Sequence, residues 1–148
     1  MSTKLLHLLL ADDDIDDCIF FKGALTQLEI STHLTVVHDG EELMQLLANE
    51  TATLPDVLFL DINMPRKNGF ECLAEIKVSE RLKQLPVIMF STSFEQEVVN
   101  LLYKNGAQHF IRKPSEFSQF KKIIEQTLLL LIPENNMQPS MESFVITV

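Results

Sequence analysis

Five short apolar runs alternate along this chain with segments of helical spacing, and that alternation limits the folds open to it more than any other feature. The runs cover residues 5–11, 33–37, 57–60, 87–90 and 109–112. Each is too short to be a helix and, apart from the leucine-rich first run, rich in strand formers. An unbroken apolar run such as Val57 to Leu60 suits a strand covered on both faces. Helical spacing follows each one: from Ile15, over 41–49, over 70–78, over 95–105, and from Phe117 onward. On the first helix Ile15, Cys18, Ile19, Leu25 and Leu28 are expected to share a face, and on the second Leu43, Leu46 and Leu47 point inward. Strand then helix, five times over, calls for a parallel sheet with right-handed crossovers and helices on both sides.

The third run is the most informative, because Val57-Leu58-Phe59-Leu60 ends abruptly in the acid Asp61 and then in turn residues, Asn63, Pro65, Asn68 and Gly69. In open α/β sheets the carboxyl ends of the strands form the edge where ligands bind. A carboxylate there needs a metal, a cation or a hydrogen-bond donor to offset its desolvation. The other strands end in matching chemistry. The first stops at Asp12-Asp13-Asp14, the fourth at Ser91-Thr92-Ser93, and the fifth at Lys113-Pro114. Asp14 is placed to cap the first helix and Ser115 the last. A cap needs one acid rather than three, and crowded carboxylates suit a hard cation such as Mg²⁺. With Asp61 as nucleophile toward phosphorus, this set is a minimal kit for phosphoryl transfer, in which positioning and charge stabilisation dominate.

Four motifs in this order, Leu10-Ala11-Asp12-Asp13, Leu60-Asp61-Ile62-Asn63-Met64-Pro65, Phe90-Ser91-Thr92 and Arg112-Lys113-Pro114, resemble those of the response-regulator receiver domain of two-component signalling. The resemblance spans residues 5–131. It implies a flavodoxin-like doubly wound (βα)5 fold with a five-stranded parallel sheet in the order 2-1-3-4-5. It also implies that Asp61 is the phosphoacceptor, and that Asp12, Asp13, Asp61 and the Asn63 carbonyl hold Mg²⁺, with Asp13 a direct ligand. Ser91 and Phe110 would be the switch hydroxyl and the switch aromatic that turns inward. Lys113 would be the phosphate-pairing lysine, and Asn63 and Ser93 the positions that tune dephosphorylation. The implied partner is a histidine kinase or phosphotransfer protein. Catalysis is expected only toward the protein's own phosphorylation and dephosphorylation.

The loops at 51–55 and 79–86 look similar to those of phytochrome-associated, stand-alone receivers. The expected organisation is a receiver over 1–132 and a tail over 133–148, too short for an output domain. The end of the last helix, residues 128–132, is apolar all round. One of its faces is therefore expected to be exposed, and the resemblance makes the last two helices and fifth strand a homodimer surface. Phe144-Val145-Ile146-Thr147-Val148 has strand composition and fits equally an exposed sheet edge, a second subunit or a free tail. Two rival readings remain: a binding-only module with a silent site, and a phosphohydrolase of the haloacid dehalogenase type. The second would want an acid where Asn63 stands.

Bulk composition closes other routes. A net charge of −9 and a pI near 4.8 exclude a nucleic-acid backbone binder. No apolar run approaches the roughly 20 residues of a membrane helix. Cys18 and Cys72 are widely separated, without CxxC spacing, and fit buried free thiols in a reducing, cytoplasmic setting.

Overall fold

The computed structural model describes residues 5–132 and 138–147. Strands β1 (Leu6–Ala11), β2 (Thr32–Val37), β3 (Val57–Asp61), β4 (Val87–Ser91) and β5 (His109–Arg112) alternate with helices α1 (Ile15–Thr26), α2 (Gly40–Ala48), α3 (Gly69–Val78), α4 (Gln96–Lys104) and α5 (Phe117–Leu131). A short helix α6 (Met141–Phe144) and a strand β6 (Val145–Ile146) follow. The sheet has six strands in the order β2-β1-β3-β4-β5-β6, and every pairing is parallel. The α/β receiver-type architecture is as expected. The strand count is corrected from five to six, because the tail supplies β6, in register Phe110 to Val145 and Ile111 to Ile146. The free edge that β5 would otherwise present is thereby paired.

Strand parity divides the core. Leu8, Leu10, Val57, Phe59, Ile88, Phe90 and Ile111 pack on one side with Cys18 and Phe21 of α1 and Phe120, Ile123 and Ile124 of α5. Leu9, Leu58, Leu60, Val87, Met89 and Phe110 pack on the other with residues of α2, α3 and α4. Four phenylalanines, Phe21, Phe59, Phe90 and Phe120, form a tight group on the first side, with the centroids of neighbouring rings 4.9 to 6.2 Å apart. Asp61 shares the parity of Val57 and Phe59, so it faces the α1 side.

Two helical faces differ from expectation. On α1 the buried residues are Cys18, Phe21, Ala24 and Leu25, while Ile15 and Ile19 are exposed. The stripe is set by what lies over the sheet, and the outer side of α1 carries isoleucines that touch solvent. On α2, Leu43 and Leu47 are buried, but Leu46, expected to point inward, is exposed.

The helix entries hold the strand-end loops in place. Asp14 accepts hydrogen bonds from the Asp16 and Asp17 N–H groups at 2.8 and 3.2 Å, as a cap should. Asn68 and Glu71 form a reciprocal capping box on α3. α5 instead begins after Glu116, with no side-chain cap, so Ser115 does not play the expected part. A β-carbon on Gly69 would lie 2.5 Å from the Asp61 carbonyl, so only glycine lets α3 begin this close to the end of β3. The tail returns along α4 and β5. Phe144 is fully buried with its ring edge-on to Tyr103 at 5.0 Å. The Tyr103 hydroxyl donates to the Pro139 carbonyl, and the Gln138 side chain donates to the Tyr103 and Ala107 carbonyls.

Candidate functional site

The carboxyl ends of β1, β3, β4 and β5 meet at one edge, and the predicted acids and lysine converge there. Asp12 and Asp61 are buried, at 1% and 5% exposure, whereas Asp13 faces solvent. One carboxylate oxygen from each of Asp12, Asp13 and Asp61 can be chosen so that all three lie within 4.8 Å of one another. Three hard oxygen donors this close, one of them open to water, fit a small divalent cation that keeps part of its hydration shell. The donor set contains neither thiolate nor imidazole, which argues for Mg²⁺ or Mn²⁺ over softer metals.

Lys113 follows β5, and its N–H continues the ladder by donating to the Ser91 carbonyl at 2.7 Å. Its ammonium is almost fully enclosed. Nζ lies 2.9 Å from Asp12 Oδ2, 2.8 Å from Asp17 Oδ2 and 3.4 Å from Asp61 Oδ2. The Phe90 ring lies beneath it, with the centroid at 5.7 Å. Asp17 was not among the residues anticipated here. It is the third residue of α1, where an acid reads as a complement to the helix dipole. The signal that could have found it is directional: helical side chains lean toward the helix N-terminus, which carries Asp17 back over the end of β1.

The electrostatics follow from burial. Desolvation raises the Asp61 pKa to about 7, and the neighbouring Asp12 adds to this against the pull of Lys113 and the Asn63 N–H. A divalent cation beside Asp61 would oppose this rise and favour the carboxylate. Burial works to lower the Lys113 pKa, but the hydrogen bond to Asp17 and the charges of Asp61 and Asp12 outweigh it and raise the ammonium above its usual range.

The remaining candidates surround this cluster. The Asn63 N–H donates to Asp61 Oδ1 at 3.3 Å, in the loop between β3 and α3. Ser91 is 4% exposed at the end of β4, and its hydroxyl oxygen accepts from the Ser93 N–H at 3.1 Å. That hydroxyl keeps its own hydrogen to donate. Ser93 is exposed on the loop beyond. Phe110, on β5, is 1% exposed and so already lies inward, with Phe94 edge-on at 5.9 Å. His38 is exposed and its Nδ1 lies 3.2 Å from the Asp12 carbonyl, which supports a turn residue rather than a metal ligand. Among the described residues no helix is long and apolar enough to cross a membrane.

Comparison with known proteins gives a consistent answer. Residues 8–125 match the family model of the response regulator receiver domain. The chain is 29% identical over 122 residues to response regulator Rcp1 of Synechocystis sp., covering 80% of this chain and 83% of that protein. The phosphorylated cyanobacterial phytochrome response regulator RcpA superposes with a TM-score of 0.82 at 29% identity, over 93% of this chain and 100% of that one. The Mn²⁺-bound form of Rcp1 gives a TM-score of 0.77 at 27% identity, over 91% of this chain and 99% of that one. The chain thus belongs to the response regulator receiver domains of two-component signalling, a family that is phosphorylated on an aspartate beside a divalent cation.

Proposed function

We propose that Asp61 is the phosphoacceptor of this receiver, and that it takes its phosphoryl group from a histidine kinase or phosphotransfer protein. The observation that carries this reading is the meeting of Asp12, Asp13 and Asp61 oxygens within 4.8 Å, with the Lys113 ammonium 3.4 Å from Asp61. In the transfer a P–O bond forms to an Asp61 carboxylate oxygen as the donor's P–N bond breaks, and the departing imidazole takes up a proton. Asp12, Asp13 and the Asn63 carbonyl would hold Mg²⁺, which supplies charge neutralisation for the phosphoryl oxygens. Ser91 and Lys113 would donate to those oxygens. Burial keeps water from Asp61 and strengthens each of these interactions. Asn63 and Ser93 lie where they could set the approach of hydrolytic water.

The protein would act as a stand-alone cytoplasmic regulator. Its phosphoryl group adds about −1.5 to −2 charges and new acceptor oxygens. Movement of Ser91 toward them would be felt by Phe110 and the segments packed on it. The likeness to RcpA and Rcp1 favours a phytochrome-type kinase upstream. The exposed leucines at the end of α5 favour a homodimer.

The test is intact mass after incubation with Mg²⁺ and acetyl phosphate, alongside Asp61→Asn. Wild type should gain one phosphoryl group only with Mg²⁺, and the variant none. Equal phosphorylation of the variant would remove Asp61 from its role.

A further inference from the structure

We propose that Asp17 is a positioning residue for Lys113, giving the ammonium a second anionic anchor that keeps it in the pocket when Asp12 turns to the divalent cation. The inference deepens the reading of Asp61 as phosphoacceptor and rests on the metal site described with it. Both carboxylate oxygens of Asp12 are engaged: Oδ1 accepts from the Asp14 N–H at 2.9 Å, and Oδ2 accepts from Lys113. A cation drawn to Asp12 competes with the ammonium for Oδ2, and the two positive charges repel. Lys113 side-chain exposure is only 5%, so an ammonium displaced from Asp12 has little water to turn to. Asp61 would itself face the cation.

The carboxylate left over is Asp17, at 2.8 Å and 23% exposed, on a different element from the metal acids. Its placement is fixed locally. Asp14 takes up the N–H groups of Asp16 and Asp17, which locks the first turn of α1 and aims Asp17 back at Lys113. An ammonium held by Asp17 still has hydrogens to offer a phosphoryl group on Asp61. With Asp17 neutralised, a cation on Asp12 would face an enclosed ammonium that no second carboxylate holds or offsets, and that uncompensated charge weakens the metal site.

The experiment is calorimetric titration of the full chain with MgCl2, together with the rate of acceptance from acetyl phosphate at saturating Mg²⁺. Asp17→Asn, Asp17→Glu and Asp16→Asn are compared with wild type. Asp16 is exposed on the same turn, so its neutralisation removes equal charge without touching Lys113. Asp17→Asn should weaken Mg²⁺ binding by about tenfold, as loss of outer-shell partners commonly does, and slow acceptance. Asp17→Glu should recover most of the affinity, and Asp16→Asn should leave it within about twofold. Unchanged Mg²⁺ affinity in Asp17→Asn, or an equal loss in Asp16→Asn, would overturn the assignment. Acceptance lost in Asp61→Asn but normal in Asp17→Asn would sink the role of Asp17 alone. A metal effect of Asp17→Asn in a protein never phosphorylated on Asp61 would sink the phosphoacceptor reading instead.

Discussion

His109 is a single residue whose charge state bears on how the tail is held. It is 6% exposed on β5, and its Nδ1 lies 3.1 Å from the Phe144 carbonyl. A carbonyl can only accept, so Nδ1 carries the hydrogen. Burial lowers the His109 pKa from 6.5, against the opposing pull of the Phe144 and Ser143 carbonyls. The native state thus resists a second proton that the unfolded chain accepts. Below about pH 6.5 the unfolded state binds more protons than the native one, so this residue's contribution is full above that pH and is lost as pH falls toward the depressed native value. The loss amounts to about 1.4 kcal/mol per pH unit of that window. Thermal midpoints at pH 7.5 and 5.5 should fall further for wild type than for His109→Gln, which cannot take up the charge. Parallel losses in the two proteins would refute this.

At the scale of elements, the tail tests how far local sequence specifies structure. Residues Phe144 to Ile146 carry β-forming side chains, yet two paired residues make no strand by themselves. What fixes β6 is Phe144, fully buried among the residues of α4 and β5 and edge-on to Tyr103. Phe144→Ala should therefore release the tail as a unit. The cost is about 3 kcal/mol or less, because undocking caps the penalty of the cavity. Hydrogen exchange should show the segment 144–146 losing protection while β3 and β4 keep theirs; unchanged protection across that segment would show that the pairing alone suffices. The same contrast explains what was legible in the chain. The five βα units were readable because each strand is a short, largely apolar run, unbroken in β3 and β4, and each helix repeats its apolar positions. Asp12, Asp13, Asp61 and Lys113 were readable because they stop those runs. Asp17 was hidden because its partner lies far along the chain, and one acid in a first helical turn already has a local explanation. The exposure of Ile15 and Ile19 was hidden because periodicity identifies a stripe but not which side of the helix the sheet covers.

For the molecule as a whole, the question is how two copies carrying −9 each could meet. The end of α5 offers an apolar answer. Leu128 is buried, while Leu129, Leu130 and Ile132 are 56%, 53% and 46% exposed. Neither the helix repeat nor the core requires leucines on the outer face, and an apolar cluster in water marks a contact surface. The fifth strand contributes no free edge to such a contact, because β6 occupies it. Association would therefore be side chain to side chain along α5. Like net charges oppose it over long range, and salt screens them within about 8 Å at physiological ionic strength. Apolar burial is not weakened by the same salt. The dimer fraction in sedimentation velocity should thus rise from 20 mM to 300 mM NaCl at fixed protein concentration. Leu130→Glu should leave the protein monomeric across that range, with thermal stability close to wild type because the side chain is outside the core. A dimer fraction that falls with salt would instead point to ion pairs as the adhesive, and a dimer that survives Leu130→Glu would place the contact on another face.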